Sequence, residues 1–546
     1  MDTHKKDTTM STTKFDYIVI GAGSAGSVIA NRLSNENHLS VLVLEAGPAD
    51  TLPLIKIPGA FAFFMYSKKY NWSYEAEAVD DIRHGAPMFC PRGKTLGGSS
   101  AINAMVYIRG HKTDYDRWEQ QGNAGWSYEH MLPYFKKSET NERGADDFHG
   151  GLGPLYVSDV RNDYPLNDRF LEGAHQAGFP LNNDFNGKDF EGAGYFQFTI
   201  QNGERCGVSK AFLKPASIRS NLQVECEAFV NKIIFKGKKA IGVEYKQGNK
   251  IFTVYAKKEI ILCGGAFNSP QLLMLSGIGD KEELAEHNIP LVHELTGVGK
   301  NLQEHVDACV LVKSLKKDGF SVGPGGLMKM LPDVIKYYKS KTGKLANSIT
   351  QSGGFLKSSP EVDVPDIQLH FVPLLFDDCG RDVKLLAGHG YSLHVCVLRP
   401  KSRGKLTLKS ADPREPIRID FNFLSDPDDA KVLVNGIRVA RKILKSAAFD
   451  DYRGEEIHPG KGVKSDDELL QKCKDRLGLV YHPVGTCKMG HDVTAVVDNE
   501  LKVHGIESLR VVDASIMPDL VSGNTNAPII AIAEKAADII LQEVIS

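Results

Sequence analysis

No stretch of the sequence approaches the roughly 18 uncharged apolar residues that a membrane-spanning helix needs. The opening residues, MDTHKKDTTMSTTK, lack the apolar centre of a secretory signal, and 1–13 read as a flexible tail. Charge is not in excess either. Lys and Arg number 66 against 68 Asp and Glu, a net −2, so nothing points to a nucleic-acid partner. Cysteine is sparse and unpatterned: nine residues, no C-x-x-C and no metal-type spacing. That argues against a metal site or a disulfide framework, and fits reduced, buried thiols in a cytoplasmic protein. Internal repeats and low-complexity tracts are also missing. What remains is an ordinary composition, 42% hydrophobic and 25% charged, in a 546-residue chain long enough for two or more domains. Peripheral contact with the inner face of the cell membrane stays open.

The most informative stretch is 15–47, which reads strand, glycine turn, helix, strand. Gly21, Gly23 and Gly26 form G-x-G-x-x-G, and the second apolar run, 41–44, ends in Glu45. Gly21 permits the tight turn, Gly23 lets backbone approach a pyrophosphate, and Gly26 lets helix pack on strand. The helix N-terminus offers free N–H groups to that pyrophosphate. Glu45 can accept hydrogen bonds from a ribose and would repel a 2′-phosphate, so FAD or NAD(H) is expected rather than NADP(H).

Further on, GKTLGGSSAIN supplies a second small-residue turn at Gly97, Gly98 and Ser100, followed by a helical pattern with Asn103 one turn in. It reads equally as a phosphate-type loop or as a tight turn between elements. Trp72 fits a cofactor stack or the core. Residues 124–139 form an amphipathic helix region. From 222 a β-meander leads to a strand at 259–263 ending in Gly264, and 268–270 read as a helix start. The region 307–471 contains a lysine-rich helix, strands in IQLHFVPLLF, YSLHVCVLRP and GKLTLKS, and a helix over 427–444. It is expected to be an antiparallel sheet flanked by helices. Near the end, LRVVDASIMP is a strand ending in Asp513, and SGNTNAPII opens a helix with Pro528 in its first turn.

The linked motifs GAGSAG with LEAG, GKTLGGSSAINAMVYIRG, GAFNSPQLLMLSGIG, VGKNLQEHVD, YHPVGTCKMG and VVDASIMP with GNTNAP resemble the glucose–methanol–choline (GMC) oxidoreductases, from about 17 to 534. The resemblance implies an α/β fold: a Rossmann-type FAD-binding domain from 14–160, 205–306 and 472–546, and a substrate domain on a largely antiparallel sheet from 161–204 and 307–471. The cofactor set it implies is Gly21, Ala22, Gly23, Ser24, Gly26, Glu45 and Ala46 in the first motif. Trp72, Arg92, Gly97, Gly98, Ser100, Asn103, Ala104, Met105 and Val106 come from the second region, with Val230 and Gly264 from the meander. Asp513, Ala514, Asn524, Thr525, Asn526 and Pro528 complete it. Some relatives bind FAD through a histidine just before the position of Asn103; Ile102 stands here, so non-covalent FAD is expected.

The histidine of the family's H-P-x-G-T motif maps to His482 and the polar residue of its last motif to Asn526. His482 is the expected base for an alcohol hydroxyl, with Asn526 orienting the oxygen for hydride transfer. Among 17 histidines, His305 is read as a structural turn residue, and His370 and His394 as candidates to line the pocket. Cys487 reads as a core thiol, and Phe61, Phe63, Phe64 and Tyr481 are candidate pocket aromatics. HVCVLRPKSRG and YHPVGTC are similar to bacterial alkanol and polyethylene-glycol dehydrogenases, which implies a primary aliphatic alcohol and a quinone or other electron carrier as acceptor. Choline dehydrogenase, an O₂-using oxidase and a hydroxynitrile lyase are the alternatives. A plain NAD-dependent dehydrogenase accounts only for the first fifty residues.

Overall fold

Two seven-stranded sheets organise the chain; the computed structural model describes residues 8–161, 164–316 and 324–545. The first sheet is parallel at its centre. Strand Thr8–Ile20 lies between Val41–Leu44 and Lys250–Leu262; Leu222–Glu225 extends one side and Leu509–Val511 the other. Val41–Leu44 is buried throughout, as a strand covered on both faces should be. The N-terminal half of Lys250–Leu262 also pairs antiparallel with Lys239–Gln247, which pairs with Ala228–Lys236. The first strand reaches further back than the expected tail allows, since Thr8, Thr9 and Met10 pair with Ile251, Phe252 and Thr253. The 13-residue length of Lys250–Leu262 supplies backbone partners that these residues can extend along.

The second sheet is antiparallel: Arg453–His458, Val306–Ser314, Gly390–Val397, Ile367–Val372, Ser352–Leu356 and Gly192–Tyr195, with Gly478–Leu479 beside the start of Val306–Ser314. Side chains alternate across a strand. Ile367, Leu369 and Phe371 therefore join the main apolar core, while His370 and Val372 face a cavity between the sheets. Helix Pro427–Leu444 packs on this sheet closely enough that a Cβ on Gly436 would lie 2.4 Å from Val395. Strand Lys405–Thr407, expected in this sheet, instead pairs with Arg418–Asp420 in a separate ribbon.

Two helix expectations change. The turn at Gly97 leads only to the short 3₁₀ segment Gly98–Ala101. Asn103 Oδ1 then accepts from the Met105 N–H at 3.1 Å, and Met105 takes φ 65°, which ends any helical path. The helix expected to begin at 268–270 begins earlier, as Gly265–Leu275, with Pro270 inside it. Proline cannot donate to the carbonyl four residues back; the Thr486 hydroxyl donates to that Ala266 oxygen at 2.6 Å instead. No helix among the described residues is long and apolar enough to cross a membrane.

A largely buried charge cluster ties four separate stretches of the chain together. Arg109 pairs with Glu139 at 2.7 Å, and His149 bridges Glu139 at 3.1 Å and Asp184 at 2.8 Å. Burial works against the His149 charge, but these hydrogen bonds override it and raise its pKa to about 9. Burial likewise opposes the Glu139 carboxylate, and Arg109 together with the hydrogen bonds from His149 and Tyr107 outweighs it, holding the pKa at about 2. The His149 contribution to stability is thus complete below the ~6.5 of an unfolded histidine and disappears as pH rises through the raised folded value. The Glu139 contribution is complete above ~4.3 and disappears as pH falls through the depressed folded value. Denaturant melts should show a loss of stability on the alkaline side that His149→Gln abolishes; an unchanged slope in that variant would place its origin in another group.

Candidate functional site

The C-terminal ends of the parallel strands open into the cavity, which the second sheet closes from the far side. Such a crevice is where parallel α/β sheets bind ligands. Of the residues expected at the cofactor, Gly21, Gly23, Ser24, Glu45, Ala46, Trp72, Arg92, Gly98, Asn103, Ala104, Met105, Val106, Val230, Gly264, Asp513, Ala514, Asn524, Thr525 and Asn526 line it. Ala22, Gly26, Gly97, Ser100 and Pro528 stand one layer behind. A Cβ on Gly26 would lie 1.9 Å from the Gly21 oxygen, so that glycine serves the packing of turn against helix. Ser100 donates to the Gly97 carbonyl at 2.7 Å and accepts from the Val208 N–H at 3.1 Å, which holds the second turn in shape.

The walls suit a dinucleotide. A Cβ on Gly23 would meet only Gly98 Cα, at 3.9 Å, and one on Gly265 would meet nothing within 4 Å, so backbone is bared to the cavity at both turns. Glu45 accepts from the Ala22 N–H at 2.9 Å and the Gly47 N–H at 2.8 Å. A carboxylate has about four acceptor sites, which leaves room for a ribose diol. Burial, partly offset by those two bonds, raises the Glu45 pKa to about 7. Trp72 is half-buried on the wall, with Lys94 Nζ 4.5 Å from its ring centre. Helices Ser24–Ser34 and Asn526–Ile545 both aim their N-termini at the cavity, and the Ser24 hydroxyl ties them together by donating to Asn526 Oδ1 at 2.7 Å.

That bond engages the Asn526 side-chain oxygen with the first helix. The residue beside the histidine is Asn524, whose Nδ2 lies 3.2 Å from His482 Nε2. Gln368 Nε2 donates to Asn524 Oδ1 at 3.2 Å, which points the amide N–H toward the ring. Behind His482 stands His305, their Nδ1 atoms 3.0 Å apart. His305 Nε2 faces the Leu398 carbonyl at 3.2 Å, an acceptor only, so Nε2 carries the hydrogen. Burial lowers the His305 pKa to about 4, so the ring is neutral and its Nδ1 accepts. His482 must then donate from Nδ1, leaving a lone pair on Nε2 toward the cavity. The residue read as a turn histidine therefore fixes the tautomer of the candidate base.

Burial, reinforced by His305, His370 and Arg92, holds the His482 pKa well below the usual imidazole range. Glu304 Oε1 accepts the backbone N–H of His305 at 2.9 Å and of His482 at 2.8 Å. The potential ligand atoms of Glu304, His305 and His482 lie within 4.8 Å of one another, and these hydrogen bonds account for their closeness. Arg92 Nη2 donates to the Tyr481 carbonyl, and Tyr481 takes φ 70°.

Deeper in, the cavity wall is polar but internally paired. His394 Nδ1 lies 2.7 Å from Asp307; Arg476 pairs with Asp377 and Arg83 with Asp378. His370 also lines the wall, and burial together with His394 and His305 lowers its pKa to about 3. Cys487 is fully buried and burial pushes its thiol well up, as a core residue. Sequence reasoning missed Arg205, which is buried and donates to Asn103 Oδ1 at 2.7 Å and the Ser100 carbonyl at 3.1 Å. Its polar setting, NGERCG, carries no signal of burial. Asp307 was equally missed, since no local signal marks which face of its strand meets the cavity.

The GMC oxidoreductase family matches residues 15–307 and 400–533. The chain is 46% identical to the alcohol dehydrogenase [acceptor] of Pseudomonas putida, over 97% of this chain and 96% of that one. It is 43% identical to the oxygen-dependent choline dehydrogenase of Brucella ovis, over 96% and 95%. A solved formate oxidase from Aspergillus oryzae, a variant described for its effect on FAD modification, superposes with a TM-score of 0.89 at 28% identity, over 97% of this chain and 99% of that one.

The tautomer relay makes a specific prediction. His305→Ala leaves the buried His482 Nδ1–H without an acceptor, a loss of about 1–3 kcal/mol. Flavin reduction should slow by roughly 10–100-fold, with a shifted pH profile, while flavin content is kept. An unchanged rate and pH profile would reduce His305 to a packing residue.

Proposed function

The chain belongs to the GMC oxidoreductases with FAD as cofactor, and from that premise we propose that it is a dehydrogenase of primary aliphatic alcohols. The observation that carries the reading is the neutral His482 with its Nε2 lone pair and the Asn524 amide side by side at the cavity. FAD, when bound, supplies the acceptor for the hydride. His482 shares the hydroxyl proton at Nε2 as the α-hydrogen leaves. Desolvation keeps its conjugate acid costly, so the proton moves together with bond cleavage rather than ahead of it. Of its two amide hydrogens Asn524 donates one to the alcohol oxygen when substrate takes the place of its contact with Nε2, and so fixes the direction of attack. Asn526 serves the cofactor end, holding the two helix N-termini together through Ser24.

The substrate class follows from charge and apolarity. A quaternary ammonium calls for an unpaired anion or an aromatic cage, whereas Asp307, Asp377 and Asp378 each have a basic partner. A second, apolar chamber lined by Ala62, Met330, Leu374 and Leu386 shares Phe61 and Phe376 with the main cavity, which offers space for an alkyl tail. Choline is the second reading, favoured by the identity to the Brucella ovis enzyme. The acceptor is a quinone or similar carrier, and the enzyme works in the cytoplasm in peripheral contact with the membrane. With Ile102 preceding Asn103, FAD is held without a covalent bond, so acid precipitation should release the yellow colour into the supernatant.

Anaerobic mixing with an alcohol panel tests the reading. 1-Alkanols should bleach the flavin band, choline should not, and recovery in air should be slow. His482→Ala should slow bleaching by roughly 10²–10⁴-fold. Asn524→Ala should slow it more than Asn526→Ala does. Bleaching by choline in preference to alkanols, or near-normal reduction in His482→Ala, would sink the proposal, and fast recovery in air would make the enzyme an oxidase.

A further inference from the structure

Helix Pro324–Ser340 carries an apolar stripe on the wrong side. Leu331, Ile335 and Tyr338 follow the i, i+4, i+7 spacing of one helical face, yet they are 60%, 48% and 65% exposed, while Tyr337 is fully buried. A surface helix normally turns its charged face outward. Three more open apolar side chains, Phe63, Tyr66 and Val383 at 56%, 60% and 60%, come from segments that pack around the same apolar chamber. Segment Pro58–Tyr66 packs on Lys344–Ala346, which packs on the helix. The Tyr66 hydroxyl donates to the Gly380 carbonyl at 2.8 Å, tying in the segment that carries Val383.

This face is also strongly basic in a chain that is nearly neutral. Stretches 56–70, 330–345 and 380–388 hold nine Lys or Arg against two Asp, with a chain total of −2. Both acids are spoken for: Asp333 pairs with Lys344, and Asp382 with Arg476. Lys56, Lys68, Lys69, Lys336, Lys339 and Lys384 are exposed and have no carboxylate partner among the described residues.

We infer that this face docks the enzyme on an anionic lipid bilayer. Apolar side chains surrounded by lysines match the acyl boundary and the headgroup charge of such a surface at once. A protein partner of ordinary composition would satisfy the apolar side chains but not an excess of this one sign. Directly behind the face lies the chamber that meets the active cavity at Phe61 and Phe376. On the aliphatic-alcohol reading given above, docking sets this chamber next to the phase in which such an alcohol and a quinone concentrate.

Vesicle flotation of the flavin-loaded enzyme tests the surface without any turnover. The protein should float with phosphatidylcholine vesicles containing phosphatidylglycerol, not with phosphatidylcholine alone, and high salt should release it. Leu331→Glu with Ile335→Glu should cut flotation at least tenfold while flavin content and reduction by a short, water-soluble alcohol stay unchanged. Lys336→Glu with Lys339→Glu should do the same. No flotation of the wild type, or equal flotation of these variants, would overturn the inference. A concentration-dependent dimer abolished by Leu331→Glu, without flotation, would make the face a contact between copies and overturn it too. Flotation with no alkanol oxidation would instead remove the substrate reading and leave the docking face standing.

Discussion

The register that sets Thr8–Ile20, Lys250–Leu262 and Leu509–Val511 side by side is the constraint on which the rest depends. Ile20, Leu262 and Val511 end at one level because Ile20 pairs with Leu262 and Leu262 with Val511. Gly21, one residue beyond, and Gly264 and Asp513, two residues beyond, therefore arrive together although hundreds of positions separate them in the chain. Asp513 converts that arrival into a lock: its Oδ2 accepts from the Gly265 N–H at 2.8 Å and the Ser269 hydroxyl at 2.5 Å, while Oδ1 accepts from the Ser515 N–H at 2.8 Å. The last helix is then drawn onto the first, where Arg32 grips the buried Glu534 with two bonds at 2.8 and 2.6 Å. A slip of one residue in any of the three strands would exchange side chains between the two buried faces of the sheet and would scatter the cofactor walls.

Dryness governs the chemistry at the other end of the cavity. His305, His370 and His482 are all buried without a carboxylate at their ring nitrogens, and all three are held neutral. His394 sits on the neighbouring strand, directly opposite His370, but it touches Asp307, and the same burial ends with its pKa raised. One carboxylate thus sets the titration of His394 apart from that of His370 across a single cross-strand pair. The division has a use: a cation beside Nε2 would weaken the base further, whereas a paired cation deeper in the wall contributes little net field.

Local signals made much of this legible. Residues 41–44 and 427–444 declare themselves through period and capping, and the structure returns Val41–Leu44 and Pro427–Leu444. The glycine turn and Glu45 lie within one supersecondary unit, so spacing sufficed. What escaped was set by contacts between distant residues. In GNTNAP, Asn524 and Asn526 are chemically identical and two apart. Only the start of the helix at Asn526, and its bond to Ser24 some 500 residues away, decides which one faces His482. His305 looked like a turn residue because its partner stands 177 positions later. Pro270 looked like a helix start because the group that relieves it, Thr486, belongs to the histidine motif.

The site also stores strain, and its location argues for purpose rather than accident. Met105 and Tyr481 both occupy left-handed backbone, at φ 65° and 70°, on the cavity wall. Such residues cost about 1–3 kcal/mol each and persist only where neighbours over-determine them. Asn103 holds Met105 by its N–H, and Arg205 holds Asn103 in turn. Arg92 holds the Tyr481 carbonyl, while Glu304 holds the N–H of the next residue, His482. Relaxing Tyr481 would rotate the peptide that carries the base and would break the relay to His305. The charged side chains buried at these points, Arg205 above all, are expensive to desolvate, and burial lowers the Arg205 pKa to about 9. Their cost is tolerable because each restrains a strained residue against which substrate and cofactor must be aligned.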